Sequence, residues 1–339
     1  MSEYEQSKDS QPIVEAPAAP LLEVQELKKY YSIDQGWFKK NLEVKAVDGI
    51  SFSVYKGETF GLVGESGCGK STAGRTILKL NDPTAGGILF EGEDISKLGY
   101  GDMRKLRRKL QMVFQDPYAS LNPKKTIRQI LTEPLRVHNL FTPKERIQKA
   151  IEILEIVGLS EYHLNRYPHE FSGGQRQRIG IARAVILQPE LIIADEPVSA
   201  LDVSIQSQVI NLLLKLQKEF QLTYIFISHD LGVIEHITDR VAVMYLGKVV
   251  ELATTEEIFS DPKHPYTKAL LSSVPISHPD EQKERIILSG DVPSAVKPPQ
   301  GCSFHPRCPD CMEICKTKEP VTVQLSPTQS VSCHLYPKE

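Results

Sequence analysis

From about Leu21 the chain alternates apolar and polar positions, first in "LLEVQEL" and then through "VKAVDGISFSVYKGETFGLVG". The second stretch ends in a continuous apolar run over Thr59–Val63. Alternation predicts strands with one buried face, and the continuous run predicts a central strand buried on both faces. A helix is expected from 70 to about 80, and the stretch from about 97 to 180 reads as helix-rich. Its clearest segment, "KERIQKAIEILEIVGL", sets apolar residues at i, i+3, i+4 and i+7. Buried-strand runs return in "LIIADEP" and "TYIFISHD", with the helix "IQSQVINLLLKLQKEF" between them. Strand–helix–strand order implies a parallel sheet with right-handed crossovers. A hairpin-like pair, "RVAVMYLGKVVELAT", closes this part, and a tail rich in Pro, Cys and His follows from about 261. The expected fold class is α/β, with a core interrupted by a helical insert and no internal repeat.

Composition changes this picture in three places. At 339 residues the chain can hold one to three domains, and its 40% hydrophobic and 24% charged content is that of a soluble globular protein. A net charge of −3 gives no reason to expect nucleic acid as a partner. The basic run Arg104, Lys105, Arg107, Arg108 and Lys109 therefore reads as a solvated helix face. No apolar run approaches a membrane span, and the polar, acidic first 20 residues lack the apolar centre of a secretory signal. They are expected to be a disordered lead-in, and the chain to be cytosolic. Cysteine is uneven: Cys68 lies in a glycine-rich loop, whereas Cys302, Cys308, Cys311, Cys315 and Cys333 crowd the last 38 residues. In a reducing compartment that clustering points to metal or a cluster rather than disulfides.

Two glycine-rich helix starts carry the chemistry. "GLVGESGCGKST" contains the pattern G-x-x-x-x-G-K-S/T, after a buried strand and before a helix. In that setting the backbone N–H groups of Gly64, Glu65, Ser66, Gly67, Cys68, Gly69, Lys70, Ser71 and Thr72 can cradle phosphate at a helix N-terminus. Lys70 can reach the β- and γ-phosphates, and Ser71 can ligate Mg²⁺. Asp195 emerges at the C-terminal end of "LIIADEP", where open α/β sheets bind ligands, and suits Mg²⁺ through water. Glu196, next to it, can polarise an attacking water. The second start, "FSGGQRQR", offers Ser172, Gly173, Gly174 and Gln175 as another anion-binding helix start, this one without a lysine. One nucleotide needs two such cradles only if two chains sandwich it.

This last stretch resembles the signature of ATP-binding-cassette (ABC) ATPases, usually written LSGGQ, with Phe171 in place of the leucine. The resemblance implies a P-loop ATPase core with an inserted helical subdomain and an antiparallel β portion, binding ATP and Mg²⁺. It identifies Gln115 in "MVFQDP" with the Q-loop glutamine, which contacts Mg²⁺ and the attacking water. It identifies "SALD" with the loop that crosses the dimer interface, and His229 in "FISHD" with the switch histidine. Tyr31 is the best match to the aromatic residue that stacks on adenine, with Tyr30 as an alternative. Glu196, His229, Gln115 and Lys70 are then the catalytic set, and the signature serves the partner's ATP. The rival from another class is a soluble cassette ATPase acting on DNA or the ribosome. Those usually carry a long coiled coil or two cassettes, and neither feature is visible here.

The tail, "FSDPKHPYTKALLSSVP" through "VSCHLY", looks like the C-terminal extension of oligopeptide and dipeptide importer ATPases, with His264, Pro265 and Tyr266 as its His-Pro-Tyr marker. The chain most resembles the F-type subunit. That implies a D-type ATPase partner in a heterodimer, two transmembrane permeases, an extracytoplasmic solute-binding protein, and a peripheral place on the cytoplasmic face of the membrane. Nickel and glutathione are alternative solutes. In the family such a tail can hold a 4Fe–4S cluster, and the matching positions are Cys302, Cys308, Cys315 and Cys333, at spacings x5, x6 and x17. Zn²⁺ and free thiols are the alternatives, and Cys311 lies outside the pattern. The expected organisation is a lead-in over 1–20, an ATPase domain over 21–260 with its helical subdomain at about 116–185, and a small Cys-containing extension over 261–339.

Overall fold

The computed structural model describes residues 19–34, 41–274 and 286–337. The expected disordered lead-in lies outside them, apart from Ala19 and Pro20. In chain order come β1 (Leu22–Ile33), β2 (Leu42–Val54), β3 (Thr59–Val63), α1 (Lys70–Ile77), β4 (Ala85–Phe90), β5 (Glu93–Asp94), α2 (Tyr100–Leu106) and β6 (Leu110–Val113). The helices α3 (Pro117–Ser120), α4 (Ile127–Val137), α5 (Pro143–Ile156) and α6 (Gly173–Val185) follow, then β7 (Leu191–Asp195), α7 (Val203–Phe220), β8 (Thr223–Ser228) and α8 (Leu231–Ile237). The chain ends with β9 (Arg240–Tyr245), β10 (Lys248–Thr254), α9 (Thr255–Ser260), α10 (Pro265–Ser272), α11 (Glu313–Thr317), β11 (Val323–Gln324) and β12 (Ser330–Val331).

Two sheets form among the described residues. The larger runs β11-β12-β10-β9-β3-β8-β7-β6, and β9, β3, β8, β7 and β6 are mutually parallel. The smaller, β2-β1-β4-β5, is antiparallel. Two strand assignments depart from the sequence expectation. Leu110–Val113, inside the stretch read as helix-rich, is a strand paired with β7 from Leu110↔Leu191 to Val113↔Ala194. Four residues are too few to display a period. The tail also returns to the core, where β12 extends the sheet beside β10 through Glu251↔Val331 and Leu252↔Ser330.

The parallel strands are buried on both faces because their period-2 side chains feed two separate cores. Ile192, Ala194, Tyr224 and Phe226 pack towards the helical insert and the tail. Leu191, Ile193, Ile225, Ile227, Phe60 and Leu62 pack towards α1 and the smaller sheet, where Phe52 stacks on Phe60 at 4.8 Å. Within the insert, Thr126 and Thr142 open α4 and α5 with reciprocal capping boxes. Each cap is worth about 1 kcal/mol of helix stability. Ile127, Ile130, Leu131 and Leu135 then bury one face of α4. Because the central strands run in parallel, the loops after β3, β6, β7 and β8 all leave from the same end of the sheet, and the candidate chemistry collects there.

Candidate nucleotide site

The loop after β3 curls back over its own lysine. Lys70 is 4% exposed, and its Nζ donates to the carbonyls of Gly64 at 2.7 Å and Glu65 at 3.0 Å. Gly69 takes φ +107°, and a Cβ there would stand 2.0 Å from the carbonyl oxygen of Ala46, so only glycine fits. Ser71 at the start of α1 donates from Oγ to Asp195 Oδ1 at 2.6 Å. Asp195 is fully buried, and burial raises its carboxyl above the usual range, against the hydrogen bond from Ser71 and the charge of Arg75. Its Oδ2 has no hydrogen-bond partner, with the Arg75 guanidinium at 3.5 Å. A buried carboxylate oxygen left open beside a hydroxyl is donor chemistry that fits Mg²⁺.

Glu196 sits one residue beyond β7 at φ 45°, a left-handed conformation that costs a non-glycine residue about 1–3 kcal/mol. Its N–H donates to the carbonyl of Ile227 at 3.0 Å, which ties it to the neighbouring strand. The carboxylate is held from two sides: Gln115 Nε2 donates to Oε2 at 2.8 Å, and His229 Nδ1 lies 3.2 Å from Oε1. Residues from the ends of β6, β7 and β8 thus converge on one carboxylate. Ser66, Gly67, Gly69, Lys70, Ser71, Thr72, Gln115 and Glu196 line one cavity of about 280 Å³, with Val44, Ala46 and Ala295 as its apolar wall.

Other expected residues lie elsewhere. Glu65 turns its side chain away from the cavity, and Cys68 is buried beneath the loop with a thiol that burial raises above the usual range. Tyr31 pairs with Val44 across β1 and β2, and its hydroxyl accepts from Asn81 at 3.1 Å. Tyr30 donates to Asp48. Neither tyrosine lines the cavity. Sequence reasoning missed Val44, Ala46 and Ala295, the last lying in the tail and held by a bond from Lys45 N–H to its carbonyl at 3.2 Å. No local signal marks any of them.

Ser172, Gly173, Gly174 and Gln175 also lie outside this cavity. Ser172 caps α6 in a reciprocal box with Gln175, so two of its N–H groups are already satisfied within the chain. Gly174 has a second reason to be glycine: a Cβ there would meet Ile205 of α7 at 2.6 Å. The basic run is largely spent locally, with Lys109 at 2.8 Å from Glu190 and also paired with Glu91, Lys105 at 3.3 Å from Asp102, and Arg104 bound to the carbonyl of Val137.

In the tail, Cys302, Cys315 and Cys333 are buried, and Cys308 and Cys311 are partly buried. Among the described residues no group of three or more His, Cys, Asp or Glu side chains is arranged to hold a metal ion. Burial and neighbouring thiols push Cys302 up to about 11 and Cys308 up to about 12, and raise Cys333 likewise.

Comparison with known proteins adds to this geometry. Residues 47–199 match the family described as ABC transporter, and residues 250–315 match "Oligopeptide/dipeptide transporter, C-terminal region". The chain is 59% identical over 320 residues to the oligopeptide transport ATP-binding protein AppF of Bacillus subtilis (strain 168), covering 93% of this chain and 97% of that one. It is 50% identical over 314 residues to the dipeptide transport ATP-binding protein DppF of Haemophilus influenzae, covering 93% and 96%. Among solved structures it resembles the dimeric post-hydrolysis state of the ATP-binding cassette MJ0796 bound to ADP and Pi, with a TM-score of 0.62 and 29% identity, covering 69% of this chain and 98% of that one.

Proposed function

The chain belongs to the ABC transporter family, in its oligopeptide and dipeptide branch, and from that membership we propose that it is the ATP-hydrolysing subunit of a membrane importer for di- or oligopeptides. The observation that carries the reading is a phosphate loop with Lys70 and Ser71 facing Glu196, in the same chain as the extension matched over 250–315. In this reading the loop N–H groups and Lys70 bind the β- and γ-phosphates of ATP, with Val44 and Ala46 beside the rest of the nucleotide. Glu196, oriented by Gln115 and His229, accepts a proton from the attacking water. Ser71, Asp195 and Gln115 would hold Mg²⁺, which when bound neutralises charge developing on the phosphates. Tyr31 is kept as the adenine-stacking residue of the proposal, although its hydroxyl now engages Asn81.

Ser172, Gly173, Gly174 and Gln175 complete the ATP site of a second ATPase chain, a D-type partner. Their position outside their own chain's cavity supports a two-chain sandwich. Two permeases carry the solute across the membrane and a binding protein delivers it outside. No helix among the described residues is long and apolar enough to cross a membrane, which fits a peripheral subunit on the cytoplasmic face. The boundaries at 20 and 260, and the helical subdomain over about 116–185, belong to the same proposal. A cluster or Zn²⁺ on Cys302, Cys308, Cys315 and Cys333 is a finer reading, supported by the bond from the Cys302 N–H to the Cys315 carbonyl at 2.8 Å, which brings two of these residues together. Iron, sulfide and zinc content after anaerobic purification separates it from free thiols.

The test of the function is purification of the tagged chain from its native membrane. Two permeases and a second ATPase are expected to co-purify. Ribosomes or nucleic acid in their place would overturn the importer in favour of a soluble cassette ATPase.

A further inference from the structure

The phosphate loop is held from behind by the tail. Glu65, which does not face the cavity, is tied at three points. Its N–H donates to the Tyr266 hydroxyl at 2.9 Å, its carboxylate takes a two-pronged bond from Arg307 at 2.7 and 3.1 Å, and its carbonyl accepts from Lys70 at 3.0 Å. Resting on the ATPase reading above, we propose that Arg307 and Tyr266 are positioning residues that hold the loop ready for ATP through Glu65.

Each anchor is itself fixed. Tyr266 is fully buried, and its ring meets Tyr245 of β9 at 4.7 Å and Phe304 at 5.4 Å. His264 caps α10 by accepting the Tyr266 N–H at 3.0 Å, and its own N–H donates to Glu251 of β10 at 2.9 Å. Pro265 sits at the first helical position, where its missing N–H costs nothing. The His-Pro-Tyr segment is thus a strut between the core sheet and the loop. Arg307 ends the short turn His305–Arg307 directly before Cys308, is 9% exposed, and forms a planar fork on Glu65 that lysine cannot copy.

The consequence concerns binding more than chemistry. An incoming phosphate must draw Lys70 from the carbonyls of Gly64 and Glu65. A loop pinned on its far side loses no order when that happens, and preorganisation lowers the cost of binding. The pairing also neutralises a carboxylate that would otherwise repel the phosphates. Glu196, Gln115 and His229 are not touched by the clamp, so turnover of bound ATP is left alone.

The experiment measures KM for ATP, kcat and melting temperature in the intact complex. Arg307→Gln and Tyr266→Phe are each expected to raise KM about tenfold, the worth of one lost charge-assisted or buried hydrogen bond, with kcat within about twofold. Arg307→Lys should fall between. Adding Glu65→Gln to Arg307→Gln should recover part of the loss, because no unpaired carboxylate then remains. An unchanged KM with a lowered melting temperature overturns the proposal and leaves a structural contact. Should Tyr266→Phe fail to fold, Glu65→Gln breaks the same ion pair from the loop side and should raise KM by a smaller factor; no change there has the same negative meaning. A wild-type complex that neither binds nor hydrolyses ATP overturns the ATPase reading instead.

Discussion

Glu196→Gln is expected to slow ATP hydrolysis by about 10²–10⁴, the usual worth of a positioned acid–base group, while ATP still binds. The geometry separates the two effects. In the proposed site the phosphates are bound by the loop N–H groups and Lys70, whose hydrogen bonds do not include Glu196. The amide can still accept through its carbonyl oxygen from Gln115, so the local packing survives. What it lacks is a basic oxygen to take the proton of water. The backbone strain at φ 45° is the cost of putting that carboxylate at the cavity rather than along the strand. Filter binding of labelled ATP alongside single-turnover hydrolysis checks both halves. Near-normal turnover would remove Glu196 from the mechanism.

Lys70→Ala should act earlier, weakening ATP binding about a hundredfold and abolishing measurable hydrolysis at ordinary ATP concentrations. The ammonium is buried and donates to carbonyls at 2.7 and 3.0 Å and to the Cys68 sulfur at 3.8 Å, with no carboxylate among its hydrogen-bond partners. A buried cation satisfied by neutral acceptors gains strongly from an anion, which the cavity above it is shaped to receive. Alanine removes that attraction and also leaves the Gly64 and Glu65 carbonyls short of a donor, so the empty loop should loosen as well. Titration with a fluorescent ATP analogue measures the first effect. Unaltered affinity would mean that the phosphates do not lie against this lysine.

The legible parts of this molecule are those where chemistry restricts residue type over a few adjacent positions. Gly69, Lys70 and Ser71 are readable because a phosphate needs bare N–H groups, a cation and a hydroxyl in one turn. Asp195 and Glu196 are readable because a buried apolar strand ends on them. The strands β3, β7 and β8 announced themselves by apolar runs that feed two cores. By contrast, β6 has four residues and β11 and β12 two each, so neither periodicity nor composition marks them. The contacts of Arg307 with Glu65 and of Ala295 with the cavity join positions far apart in the chain, through a fold that no local pattern encodes. Tyr31 is identified by resemblance alone, and Val44 and Ala46, on and just after the strand position that pairs with it, carry no local signal that marks them as cavity wall. The cysteine spacing brings a ligand set to mind, but spacing says nothing of how the thiols are oriented towards one another.

The most direct measurement is ATP hydrolysis by the intact, membrane-purified complex, with and without its binding protein loaded with peptide. Peptide is expected to raise the rate several-fold above the basal rate, and Glu196→Gln in this chain to reduce that stimulated rate sharply. A basal rate unmoved by peptide but raised by another solute, such as nickel or glutathione, would contradict the peptide assignment. A complex that no solute stimulates would contradict the importer itself.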